Sequence, residues 1–135
     1  MTVKFNIVMR GNPANLTAPR KFYPSIASTG RKTLRQLAGR ITEISTVSST
    51  DTMAVLEALL TVIPQELASG NIVELGDFGS FWLKANSEGA ETAEAVRASQ
   101  ITTLLPRFNP GKEFKKVLAV VEYEKGAVVS QTEEG

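Results

Sequence analysis

With 135 residues, 42% of them apolar, a mean hydropathy of −0.04 and a net charge of +1, the chain has the size and composition of one soluble globular domain. It contains no Cys and no His. That excludes disulfides, zinc-finger ligand sets, thiol nucleophiles and every His-based general base. No pair of acids sits in a recognisable catalytic motif, so no enzyme, cofactor or small-molecule substrate is expected. No apolar run approaches the ~18 residues of a membrane span. The alternating start, MTVKFNIVMR, is unlike a signal peptide, so a cytoplasmic protein with no membrane partner is expected.

The small net charge hides a sharp segregation. Residues 1–40 carry eight bases (Lys4, Arg10, Arg20, Lys21, Arg31, Lys32, Arg35 and Arg40) and no acid. Residues 41–106 carry only Lys84 and Arg97 against nine acids, and the remainder balances five against five. Charge separated in this way fits a basic surface for a polyanion or an acidic partner.

Val3, Phe5, Ile7 and Met9 alternate along the first ten residues and predict a half-buried strand. Turn formers fill 10–20, and a second extended stretch follows at 21–28, where Pro24 restricts it to an edge or a bulge. Together these predict a β-hairpin extension over 1–30. Leu34, Leu37, Ala38, Ile41 and Ile44 then recur at helical spacing from Thr33 onward. Ser48 and Asp51 predict the cap of a second helix running to about Ala68. Its stripe of Met53, Leu56, Leu60, Ile63 and Leu67 is widened by Val55, Leu59 and Val62. So broad an apolar face calls for a second subunit. Pro64 predicts a kink around 60–64, and Gly70 suits the left-handed position past the helix end.

Strands are expected at about 72–76 and 78–85, then a polar arm at 86–99 and a returning strand at 101–108. A short helix is expected with Asn109 as cap and Pro110 in its first position. A last strand covers 120–125, and a flexible tail 126–135. Gly76 and Gly79, set among Phe78 and Phe81, mark a bend, because glycine within a strand points to a bulge or a close backbone approach. Trp82 is expected to serve packing or an interface.

Two of these segments, Gly76-Asp77-Phe78-Gly79-Ser80-Phe81 and Phe108-Asn109-Pro110-Gly111-Lys112, lie about 30 residues apart on the predicted elements. Over roughly 31–118 the chain resembles the bacterial HU and integration-host-factor family. That family has a Gly-Phe-Gly-Thr/Ser-Phe turn after its second helix and a Phe-x-Pro-Gly-Lys segment opening its last. With the N-terminal strands added, it is similar to the HU-HIG subfamily. The resemblance implies an α+β fold and an intertwined homodimer. A two-helix base would be covered by a three-stranded antiparallel sheet with a β-arm and a short C-terminal helix. The HU-like domain would span 31–125, with Phe78 and Phe81 in the dimer core.

The resemblance further implies an architectural protein of the nucleoid that binds duplex DNA with little sequence preference. It would use phosphate contacts at the last helix and minor-groove arms. Carried onto this sequence, the contacts fall on Gly111, Lys112, Lys115 and Lys116, with Arg107 on the entering strand and Lys84 and Arg97 on the arm. The arm departs from the family. It sets Glu88, Glu91 and Glu94 against those two cations, and the family's Arg-Asn-Pro tip is absent. RGNPA at 10–14 imitates the tip in another part of the chain and is expected to be a turn. A second reading therefore stands beside the first: an HU fold with a decayed DNA grip, acting through protein contacts.

Overall fold

Thr33 starts the first helix in the computed structural model, which describes residues 1–11 and 13–129. Its side chain accepts from the Gln36 amide, while the Gln36 side chain accepts from the Thr33 amide at 2.8 Å. This reciprocal cap satisfies two amides that helix α1 (Leu34–Ile44) would otherwise leave unbonded. Ser48 caps α2 (Ser49–Ala68) by accepting from the Asp51 amide at 3.1 Å, as the sequence predicts. The assigned helix runs through Pro64 to Ala68. It closes with the Asn71 amide on the Glu66 carbonyl and Gly70 at φ 90°.

The chain divides into two units. One comprises Thr33–Val117, and the other joins Met1–Lys32 to the chain from Leu118 onward. In the first, α1 packs on α2. The sheet order is β3 (Val73–Glu74), β4 (Gly79–Ser87), β5 (Ile101–Pro110), antiparallel throughout. Helix α3 (Lys112–Ala119) follows β5. Asn109 and Pro110, expected to open that helix, instead close β5 opposite Ser80 and Gly79, and the helix begins at Lys112. Strand pairing carried to the end of β5 overrides a good capping sequence here.

In the second unit β1 (Thr2–Arg10) lies between β2 (Lys21–Ile26) and β6 (Glu122–Val129), antiparallel to the former and parallel to the latter. β1 and β2 form an antiparallel pair of consecutive strands, and β6 joins β1 on its other edge, so that Leu118–Lys125, expected in the 31–125 domain, groups with the N-terminal strands. Pro24 sits on the edge strand, opposite Ile7. The expected tail at 126 is also corrected as far as Val129, which is still in β6 and paired with Val8. Gly126 permits a close strand approach, since a Cβ there would lie 2.5 Å from Asn6 Oδ1. The expected tail over 130–135 lies outside the described residues.

Little is buried. Among the described residues, Gly79 apart, only Ala38, Leu67 and Thr52 are buried. The inward stripe of α2 is Thr52, Met53, Leu56, Ile63 and Leu67, whereas Leu60 is 55% exposed. Val55, Leu59 and Val62, at positions i, i+4 and i+7, form a second exposed apolar row. Leu37 and Ile44, expected on the buried face of α1, are exposed as well.

Candidate functional site

The glycine-aromatic segment folds into a turn that ties β4 to the start of α3. Gly76–Phe78 form a 3₁₀ turn in place of continuous strand, with the Leu75 amide donating to the Gly79 carbonyl at 2.9 Å. Gly79 lies at φ 147°, and a Cβ there would stand 2.6 Å from both the Asn109 carbonyl oxygen and the Phe108 ring. Gly111 donates its amide to the Phe78 carbonyl at 2.8 Å. A Cβ on Gly111 would collide with the Asp77 carbonyl. Two glycines about 30 residues apart in sequence thus let two backbones touch, and that contact sets where α3 starts.

Four rings pack around this junction. Phe81 and Phe108 are cross-strand partners with centroids 4.9 Å apart. Phe78 lies 5.5 Å from Phe108 and 5.2 Å from Phe114, the latter edge-on. Phe114 also meets Phe108 edge-on at 5.5 Å. Such pairs contribute ~0.5–1.5 kcal/mol each beyond area burial. They hold the inner side of α3 through Phe114. Phe78 nevertheless remains 46% exposed, so the cluster is open on one side in a single chain.

The helix so anchored displays Lys112, Lys115 and Lys116, all exposed. Their i, i+3, i+4 spacing places them on one helix face. Lys112 stands at the first position of the helix, against its dipole, whereas Lys116 lies in the last turn, where the dipole favours a cation; a bound anion offsets the mutual repulsion of the three. Glu113 lies between them in sequence. The Gly111 amide is committed to the Phe78 carbonyl, so this glycine enters the site through the space it leaves open.

Lys84 and Arg107 fall on one face of the β4–β5 pair. Arg107 stands opposite Trp82, and Lys84 opposite Leu105. Trp82, 38% exposed, shares that face, which the set of sequence-derived site residues leaves out. The alternation along β4 is the signal that groups Trp82 with Lys84.

Arg97 is placed apart from both groups. The β4–β5 ladder ends at Ser87–Ile101, with the Glu88 amide on the Gln100 carbonyl. Two short turns, Ala93–Ala95 and Ala98–Gln100, fold the segment beyond it. Arg97 Nη1 donates to the Glu94 carbonyl at 2.7 Å and the Val96 carbonyl at 3.3 Å. Its amide donates to Gln100 Oε1 at 2.6 Å. Arg97 thus braces the arm's own turns. Among the described residues no cluster of acids suited to a metal ion occurs, and no helix is long and apolar enough to cross a membrane.

Known structures share this architecture. A crystal structure from Bacteroides vulgatus ATCC 8482, provisionally described as a bacterial DNA binding protein, superposes with a TM-score of 0.67 at 10% identity. The match covers 95% of this chain and 49% of that one, so the present chain spans about half the length of that neighbour. An Anabaena HU–DNA cocrystal structure matches with a TM-score of 0.53 at 25% identity, over 66% of this chain and 99% of that one. A search of curated protein sequences gives no significant match. The model of an HU domain fused to wHTH, Ig, or glycine-rich motif matches residues 1–125, and the chain belongs to this HU-HIG family.

Proposed function

We propose that the chain is an HU-like architectural protein that binds duplex DNA as a homodimer, with little sequence preference and without enzymatic activity, in the bacterial nucleoid. The observation that carries the reading is the exposed lysine face of α3, held in place by the Gly79–Gly111 contact and the four phenylalanines. Lys84 and Arg107 add two cations on one face of β4 and β5, and DNA is present in the Anabaena HU structure that this chain resembles. Phosphate contacts of this kind position a protein on DNA without reading bases.

The exposed row on α2 supports homodimerisation. Burying a Val or Leu side chain contributes ~1.5–3 kcal/mol. Val55, Leu59, Leu60 and Val62 are on average about half exposed, so leaving them in water forgoes ~3–6 kcal/mol, close to the lower end of the ~5–15 kcal/mol stability of a whole domain. A second copy that covers this row and closes the open side of the phenylalanine cluster recovers it.

Titration of duplex DNA at a series of salt concentrations tests the reading. Log K is expected to fall by ~0.9 per tenfold rise in salt for each phosphate neutralised. Replacing Lys112, Lys115 and Lys116 with Ala is expected to flatten that slope and to weaken binding equally across sequences. A loss confined to particular sequences contradicts backbone recognition. The folded, acidic arm favours a second reading, an HU fold that works through protein contacts. Absence of DNA binding even at low salt would select it.

A further inference from the structure

We propose that the small sheet carries a second phosphate-binding patch, built from Arg10, Arg20 and Lys21 with Tyr23 beside them, and that DNA is its ligand. Arg10 and Lys21 are cross-strand partners at one end of the β1–β2 pair. Directly opposed residues of an antiparallel pair project from the same face, so two cations stand side by side there. Like charges in that position destabilise the pairing. Tyr23, opposite Val8, lies on the same face, and Arg10, Lys21 and Tyr23 line one shallow hollow with Gly11 and Pro19. Arg20 folds toward it: a Cβ on Gly11 would lie 3.8 Å from Arg20 Nε.

Among the described residues, the acids of the sheet are at its other end. Glu122 and Glu124 pair with Thr2 and Lys4, and the described β6 ladder ends at Val8–Val129, short of Arg10. Lys4 thus has an acid opposite it, whereas Arg10 has Lys21. A fold needing only strand pairing gains nothing from this arrangement. An anion bridging the guanidinium groups and the ammonium group relieves the repulsion, and the Tyr23 hydroxyl adds a neutral donor. A repeating phosphodiester supplies several such anions at once. The choice of DNA as their source rests on the function proposed above.

The full-length chain tests this with two variants and two probes. The first variant replaces Arg10, Arg20 and Lys21 with Ala. The second is Arg10→Glu, which pairs an acid with Lys21 and so keeps the strand pairing while removing the cation cluster. With duplex DNA, the triple variant is expected to lower the salt slope by roughly 2–3 per protomer, about 0.9 for each phosphate no longer neutralised. Arg10→Glu is expected to lower it too, with circular dichroism unchanged from the parent. Inorganic polyphosphate is the second probe, with binding expected to fall in both variants. Weaker polyphosphate binding in the variants, from a parent that does not bind DNA, keeps the patch and overturns the DNA reading. DNA slopes unchanged in both variants, while replacing the α3 lysines flattens them, overturn the patch and keep the reading. A parent that binds neither probe overturns both.

Discussion

A single methyl group probes the turn at Gly79 and Gly111. Ala at Gly79 meets both a positive φ that L residues rarely adopt and two contacts at 2.6 Å. Backbone strain of this kind costs ~1–3 kcal/mol, before the clash is counted. Gly79→Ala and Gly111→Ala are each expected to lower the urea midpoint by more than Thr33→Ala. That third change removes one side-chain cap and costs about 1 kcal/mol. Equal midpoints for parent and Gly111→Ala would show that the Asp77 carbonyl moves aside easily. Because a dimer's stability depends on protomer concentration, all variants are compared at one concentration. The two glycines are visible in the sequence as motif residues, but their mutual approach is not. Nothing local to residue 111 reports the carbonyl of residue 77.

Helix α2 presents two apolar rows, and the exposures separate their roles. The inward row packs toward α1 and the sheet, while Val55, Leu59 and Val62 are exposed and form the row proposed to meet a second copy. Leu59→Glu is therefore expected to shift the chain from dimer to monomer in sedimentation equilibrium at micromolar concentration, since it places a charge in an apolar interface. A parent chain that sediments as a folded 14.6 kDa monomer would contradict the proposed dimer directly. The width of the apolar face was legible in the sequence. Which residues of it faced inward was not, because Leu60 and Leu56 differ by little over one turn and either fits a helical stripe. The start of α3 was misplaced for a related reason. Asn-Pro is a good helix opening locally, yet pairing of β5 with β4 up to Gly79–Pro110 claims those residues first.

At the scale of the whole molecule, charge and bending are the open functional quantities. Kinking DNA costs a few kcal/mol of unstacking per step and is compensated by an inserted wedge and a basic flank. This arm ends in short turns braced by Arg97, carries Glu88, Glu91 and Glu94, and has small side chains around 89–95. Weak bending is expected. Ligase-mediated circularisation of a fragment shorter than the persistence length checks it, with few circles at stoichiometric protein. Efficient circle formation would show that bending proceeds without a proline at the tip.

The sequence alone determined the two long helices, the opening of the first near Thr33 and the cap of the second at Ser48, the glycine-aromatic bend and the family, because each rests on neighbours a few residues apart or on a short motif. Only the tertiary structure decided that β6 pairs in parallel with β1, so that the Thr33–Val117 unit is inserted within the chain of the small sheet. Parallel pairing joins segments more than 110 residues apart, and strand alternation carries no record of the partner. The same pairing made Gly126 part of a strand where composition pointed to a tail. Arg10 and Lys21 were brought together by antiparallel register, a relation between two strands that neither strand specifies by itself.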